Sequence, residues 1–325
     1  MMELAPIALP VREELEKVEE LMQLKLHSSV PFVRHVTEYV LKNGGKRLRP
    51  LLTLLSARIA GSQGEAAIQS GAALEFMHTA SLLHDDVIDN AELRRGKVST
   101  NARWGNQVSV LVGDFFYCRA CDILVSLKNL QILKLVTDAM IETTEGEVLE
   151  IAKSNSMDVN EEDYLQIVTH KTAVLIATAC QVGAILGNIS EEFSVALRNY
   201  GLSLGIAFQL ADDVLDYLSE QDKFGKLKGT DLREGKLTLP LIIALKKARS
   251  EEVRIIKDAL IAREVGEGHL KEIVSIIQKY DGISYTLNLA KRYVERAKGE
   301  LVLFKPSIEK EALTALANYV IDRNR

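Results

Sequence analysis

Asp85-Asp86-Val87-Ile88-Asp89 and Asp212-Asp213-Val214-Leu215-Asp216 are two copies of one acidic pattern, 127 residues apart, and each closes a long run of apolar residues. On a helix the first and fifth residues of such a cluster stand one turn apart on the same face. Asp85 with Asp89, and Asp212 with Asp216, therefore form two-carboxylate jaws. Helices that are apolar on most faces belong at the centre of a bundle, so the pattern calls for long helices with carboxylates at their ends. Six carboxylates around one cavity repel one another unless divalent cations neutralise them. Carboxylate and water oxygens suit Mg²⁺, which in such sites usually also binds substrate phosphates. The clusters point to Mg²⁺-dependent chemistry on a diphosphate.

Apolar residues recur at three- and four-residue spacing almost throughout, and alternating strand-like runs are nearly absent, which predicts an all-α fold. Breakers divide the sequence into helices over about 11–27, 31–43, 48–61, 65–89, 98–127, 130–153, 161–187 and 191–218, then 238–249, 251–263, 269–280, 282–303 and 308–323. With 47% hydrophobic residues in 325, a substantial core is available, and a single domain over residues 1–325 is expected. Gly183-x-x-x-Gly187 and Gly201-x-x-x-Gly205 place small residues one turn apart, which favours close helix packing. Residues 172–190 carry no charge over about the length of a membrane span. Thr172, Thr178, Gln181 and Asn188 dilute that apolarity, so a buried core helix is expected there rather than a transmembrane segment.

The formal charge is 40 − 45 = −5 with no basic tail, which argues against nucleic acid as a partner. Residues 1–10 have no cationic region followed by a long apolar core, so no secretory signal is read and a cytoplasmic location is expected. Three cysteines fit a reducing compartment. Cys118 and Cys121 form a C-x-x-C within one helical run, without the second pair a zinc site needs, and read as small buried hydrophobes.

Two polar stretches follow the clusters. Residues 91–97 carry Arg94, Arg95 and Lys97, and residues 219–236 carry Lys223, Lys226, Lys228, Arg233 and Lys236 with three glycines. Loops of this composition beside metal ligands can fold over a phosphate and exclude water. Gly44-Gly45-Lys46-Arg47-Leu48-Arg49-Pro50 can bring backbone N–H groups, Lys46 and Arg49 to a phosphate. His78 lies seven residues before Asp85 on the same stripe. Glu75-x-x-His78 also matches half of a di-iron carboxylate site, but no other histidine has a Glu three residues before it.

Taken together, the Gly44–Pro50 motif, the paired D-D-x-x-D clusters, Phe208-Gln209 ahead of the second, and the G-x-D-L-x-x-G-K-x-T-L-P run from Gly229 to Pro240 resemble the trans-isoprenyl diphosphate synthases of the polyprenyl synthetase family. The resemblance implies the isoprenoid synthase fold, a central bundle of long antiparallel helices around a deep cavity, and a homodimer. It implies that Asp85 and Asp89 bind two Mg²⁺ ions and Asp212 a third, with Asp86, Asp213 and Asp216 in support. Arg94, Lys171, Lys226 and Lys236 would hold an allylic diphosphate such as farnesyl diphosphate. Lys46, Arg49, His78 and Arg95 would hold isopentenyl diphosphate, and Thr172 and Gln209 would line the reacting centre. The complete second cluster argues against a terpene cyclase, which usually replaces it. A short-chain synthase making C15 or C20 products remains the main alternative.

Leu74, His78, Ser81, Asp85 and Asp89 share one stripe of their helix, so a prenyl tail growing from the metals would run past Ser81 toward Leu74. Short-chain members of the family typically carry an aromatic ring four or five residues before the first Asp, where this chain has Ala80 and Ser81. A long product is expected, about C35 to C45 with eight isoprene units favoured, destined for a quinone side chain. Leu74 and Met77, with Leu135 or Met140, are the candidates for the tunnel floor.

Overall fold

The computed structural model describes residues 4–154, 156–218, 229–262 and 266–322, and these are helical almost throughout. Long helices span Arg12–Lys25, Pro31–Lys42, Leu48–Ile59, Glu65–Ile88, Asn106–Ser126, Leu130–Lys153 and Glu191–Leu218. Between the last two, Glu161–Val168 passes through a π-helical turn, Thr169–Ala173, into Val174–Leu186. Leu239–Leu245, Ser250–Ala262, Glu267–Lys279, Gly282–Glu300 and Ile308–Asp322 complete the order.

Local chemistry sets several of these starts. Pro31 opens its helix at a position where the missing N–H costs nothing. Asn160 and Asp163 form a reciprocal capping box: the Asn160 side chain accepts from the Glu162 and Asp163 backbones at 2.8 and 3.1 Å, and Asp163 accepts from the Asn160 backbone at 3.2 Å.

The fold contains two compact units, one made of residues 1–140, 175–201 and 299–316, the other of residues 141–174, 202–298 and 317–325. In the first, Leu51, Leu52, Leu74, Phe76, Phe116 and Ile123 are fully buried, and Phe76 meets Phe116 edge-on with centroids 5.4 Å apart. Gly183 lets two of its helices touch: a Cβ there would lie 2.5 Å from the Ala57 backbone nitrogen, so only hydrogen fits. In the second, Leu210 and Tyr217 pack with Leu239, Leu241, Ile273 and Ile277. Each unit carries one acidic cluster near the C-terminal end of a long helix.

The expected helix over 98–127 is broken. Leu93–Arg94 and Lys97–Val98 form a two-stranded hairpin, a short helix Thr100–Trp104 follows with Ser99 as its cap, and Gly105 at φ +88° separates it from Asn106–Ser126. A residue with no Cβ adopts that angle without strain, whereas a helix cannot pass through it. The helix expected over 161–187 exists but contains the π turn. Among the described residues, Glu161–Leu186 is the one helix long and apolar enough to cross a membrane, and 67% of its apolar window is buried inside the protein. Cys118 and Cys121 are exposed, contrary to their expected burial, because they face away from the core that covers Phe116 and Ala120 on the same helix.

Candidate functional site

In both clusters the middle Asp is buried and the outer two are partly exposed: Asp86 and Asp213 are 2% and 3% accessible. This alternation follows from the helix, where the outer pair lies one turn apart and the second residue points 100° away, into the protein. The two buried carboxylates have different partners.

Asp86 meets Arg94, whose Nε donates to Oδ1 at 2.7 Å. The hairpin makes this contact. Its strands pair Leu93 with Val98 and Arg94 with Lys97, leaving Arg95-Gly96 as a two-residue turn with φ of +54° and +74°, the tight form that matches strand twist. Adjacent arginines are thereby sent to different partners: Arg94 to Asp86, and Arg95 to the Gly44 carbonyl. Burial pushes the Asp86 carboxyl up, opposed by Arg94. Burial also works against the Arg94 charge, but Asp86, Asp85 and Asp89 outweigh it and raise the Arg94 pKa.

Behind them lies a cationic set. Arg47, the left-handed N-cap of the Leu48–Ile59 helix, pairs with Glu19 and Glu75. Arg49 is buried with its Nε lacking a hydrogen-bond partner, and burial lowers its pKa to about 10. The desolvated His78 ring is held well below its ordinary pKa, first by burial and then by Arg49, Arg95, Arg94 and Arg47. A neutral imidazole among four guanidinium groups is a setting prepared for an anion. Gly44, Arg47, Thr79, Asp86, Arg94 and Arg95 line a cleft there. Lys46 is exposed. Glu75, the residue that suggested a di-iron site, is committed to Arg47.

Asp213 has neutral partners. Tyr164 donates to it at 2.5 Å and the Gln209 amide at 2.8 Å, while Thr172 donates to the Gln209 carbonyl oxygen at 3.0 Å. Burial, with repulsion from Asp212 and Asp216, pushes the Asp213 carboxyl up to about 7 against those hydrogen bonds. Asp216 accepts from the Thr230 and Asp231 backbones at 3.1 and 3.2 Å, anchoring the turn that leads to Lys236. Lys171, in the π turn, contacts Glu147 and Glu150 at 2.6 and 2.7 Å, and Lys236 contacts Glu234 at 2.7 Å. Lys226, with most of the loop over 219–236, lies outside the described residues.

Among the described residues, no group of three or more Asp, Glu, His or Cys side chains is placed to hold a metal on its own. Two carboxylates per jaw still suit Mg²⁺, which keeps several waters and completes its shell with substrate phosphates. Of the tunnel candidates, Leu74, Met77 and Ala80 are buried and Ser81 is partly exposed, its hydroxyl donating to the His78 carbonyl at 2.9 Å. Sequence reasoning missed Arg47, Glu75's role, Tyr164, Glu147 and Glu150. The three-residue spacing of Glu147 and Glu150 was the one available signal, since it places both on one helix face.

Helices ending in paired carboxylates, the first pair close to Arg94 and Arg95, suit chemistry on a diphosphate. The polyprenyl synthetase family profile matches residues 30–277. Octaprenyl diphosphate synthase of Haemophilus influenzae is 39% identical over 311 residues, covering 96% of this chain and 94% of that one. The Escherichia coli octaprenyl diphosphate synthase is 39% identical, with 93% of each chain covered. A polyprenyl synthase from Caulobacter crescentus, solved with calcium and isoprenyl diphosphate, superposes with a TM-score of 0.95 at 38% identity, covering 99% of this chain and 98% of that one. The chain belongs to the polyprenyl synthetase family. It has the isoprenoid synthase fold and is a prenyltransferase that makes a trans-prenyl diphosphate.

Proposed function

We propose that this enzyme uses Mg²⁺ to condense isopentenyl diphosphate with an allylic diphosphate such as farnesyl diphosphate, over one catalytic domain of residues 1–325. The observation that carries the reading is the cleft that Arg47, Arg94 and Arg95 line together with Asp86, on the helix that ends in Asp85 and Asp89. Mg²⁺ held by Asp85, Asp89 and Asp212 would supply the positive charge that stabilises a departing pyrophosphate. Lys171 and Lys236, with Arg94, would orient the allylic diphosphate and share that stabilisation of the leaving group's charge. Arg49, Arg95, Lys46 and His78 hold isopentenyl diphosphate so that its double bond faces the allylic carbon. The allylic C–O bond breaks to leave an allylic cation and pyrophosphate, the double bond attacks that cation, and the new cation loses a proton to the released pyrophosphate. Gln209 and Thr172 keep the reacting centre polar without offering a nucleophile.

The product is long, about C35 to C45 with octaprenyl diphosphate favoured, to serve as a quinone side chain. Small residues at 80 and 81 leave the helix without an aromatic stop, and the octaprenyl relatives support this length. A short product is the second reading, favoured by a geranylgeranyl diphosphate synthase of Methanosarcina mazei at 35% identity. Incubation with isopentenyl and farnesyl diphosphates and Mg²⁺, with mass analysis of the product, separates the two. Asp85→Ala and Asp212→Ala should each lower turnover by about a hundredfold or more, and wild-type rates in either folded variant would remove the metal assignment. A homodimer is proposed from the family resemblance and from the exposed apolar residues Val110, Leu111 and Val125 on the Asn106–Ser126 helix. Sedimentation at the chain mass of 36.1 kDa would refute it.

A further inference from the structure

Lys171 is held in a way that a lysine awaiting a phosphate does not require. Its Nζ lies 2.6 Å from Glu147 and 2.7 Å from Glu150, two charge-assisted contacts on one ammonium. Glu150 also lies 3.7 Å from Lys236, whose Nζ meets Glu234 at 2.7 Å. All of these side chains are 17–23% exposed, so water screens them only in part.

The backbone is shaped to make these contacts. Gly146, next to Glu147, lets the Leu130–Lys153 helix come against the π turn: a Cβ there would lie 2.8 Å from the Lys171 nitrogen and 2.7 Å from the His170 Cβ. The π turn, Thr169–Ala173, carries Lys171 at its centre, and such turns recur at functional sites. Glu147 and Glu150, three residues apart, project from one face toward it. Thr172, the next residue, begins the chain of hydrogen bonds through Gln209 to Asp213. The lysine and its carboxylates thus lie one residue along the backbone from the polar chain that reaches the second cluster.

We propose that Glu147 and Glu150 are positioning residues that hold Lys171 between turnovers, with Glu150 also facing Lys236, and compete with a diphosphate for these cations, so that their return expels pyrophosphate. The inference rests on the reading above that these lysines bind the allylic diphosphate. A diphosphate entering must displace carboxylates from both cations, which weakens its ground-state binding. After the C–O bond has broken, the same carboxylates recapture the lysines and speed departure of the inorganic product.

The test is calorimetric binding of inorganic pyrophosphate, in saturating Mg²⁺ at fixed ionic strength, to the full-length enzyme and to Glu150→Gln and Glu147→Gln. Glutamine keeps the size and hydrogen-bonding capacity while removing the charge, and helical circular dichroism checks the fold. Removing one nearby negative charge should tighten pyrophosphate binding about 5- to 20-fold. In steady state, kcat should fall as product leaves more slowly and KM for the allylic substrate should fall further than kcat does, while kcat/KM for isopentenyl diphosphate stays unchanged. A merely structural role would weaken both substrates together. Unchanged or weaker pyrophosphate binding in both variants overturns the proposal, and so does a raised Mg²⁺ requirement, which would make the glutamates metal ligands. If the wild-type enzyme binds no pyrophosphate at all, the assignment of the lysines itself fails.

Discussion

Tyr164 donates its phenolic hydrogen to Asp213 across 2.5 Å, so a side chain 49 residues away in sequence orients the buried carboxylate of the second cluster. Its counterpart in the first cluster, Asp86, is instead compensated by the guanidinium of Arg94. One sequence pattern is therefore supported in two ways, by a cation in one case and by neutral donors in the other. Burial pushes both carboxyls up, Asp213 to about 7, and the ionised form of each gains from a divalent cation nearby.

Tyr164→Phe keeps the ring in the core and removes only the donor. Groups that orient metal-binding carboxylates typically contribute 10- to 100-fold in metal affinity. The Mg²⁺ concentration giving half-maximal rate should rise about tenfold while the rate at saturating Mg²⁺ is largely recovered. An unchanged Mg²⁺ titration would show that Tyr164 does not act through the cluster.

Arg94→Ala and Arg95→Ala should differ in stability as well as in kinetics. Loss of Arg94 leaves Asp86 buried without its partner, which costs about 3 kcal/mol, and it should mainly impair use of the allylic primer. Arg95 is exposed and contacts a backbone carbonyl, so its loss should barely move the melting temperature and should mainly raise KM for isopentenyl diphosphate. Thermal melts and two-substrate kinetics check both, and identical profiles would collapse the distinction between the two arginines.

Ser81→Phe should shorten the major product to C15 or C20 without abolishing condensation. The Ser81 hydroxyl makes a local bond to the His78 carbonyl, so replacing it disturbs little beyond the added ring. Mass analysis of the product decides: an active variant that still makes the wild-type length means the tail does not pass residue 81.

Glu252 sets an acid limit on stability. Lys279 and Tyr280 at 2.6 Å each, with the Arg249 backbone at 3.0 Å, hold its carboxyl well below the usual range. A depressed folded-state pKa stabilises the protein above the unfolded value of 4.5 and loses that contribution as pH falls through the folded value. Glu252→Gln should therefore melt lower than wild type at pH 7, with the gap narrowing steadily below pH 4.5. A gap that is constant with pH would point to packing rather than charge.

Periodicity and composition determined the helices and the two carboxylate jaws. Helical spacing is local, so Asp85 and Asp89 must share a face wherever their helix packs. The Gly44–Pro50 cations and His78 were legible for the same reason, each lying at a readable offset from a helix start or an acidic cluster. The break at Gly105 and the π turn around Lys171 were not, because each depends on what the segment packs against. Only the tertiary structure decided the partners of the buried aspartates, Arg94 reaching Asp86 through a hairpin turn and Tyr164 reaching Asp213 from another helix. It also decided that Cys118 and Cys121 face outward. A sequence states which faces of a helix are apolar, but which face is covered, and which donor meets a buried charge, depends on neighbours brought together by packing over long sequence separations.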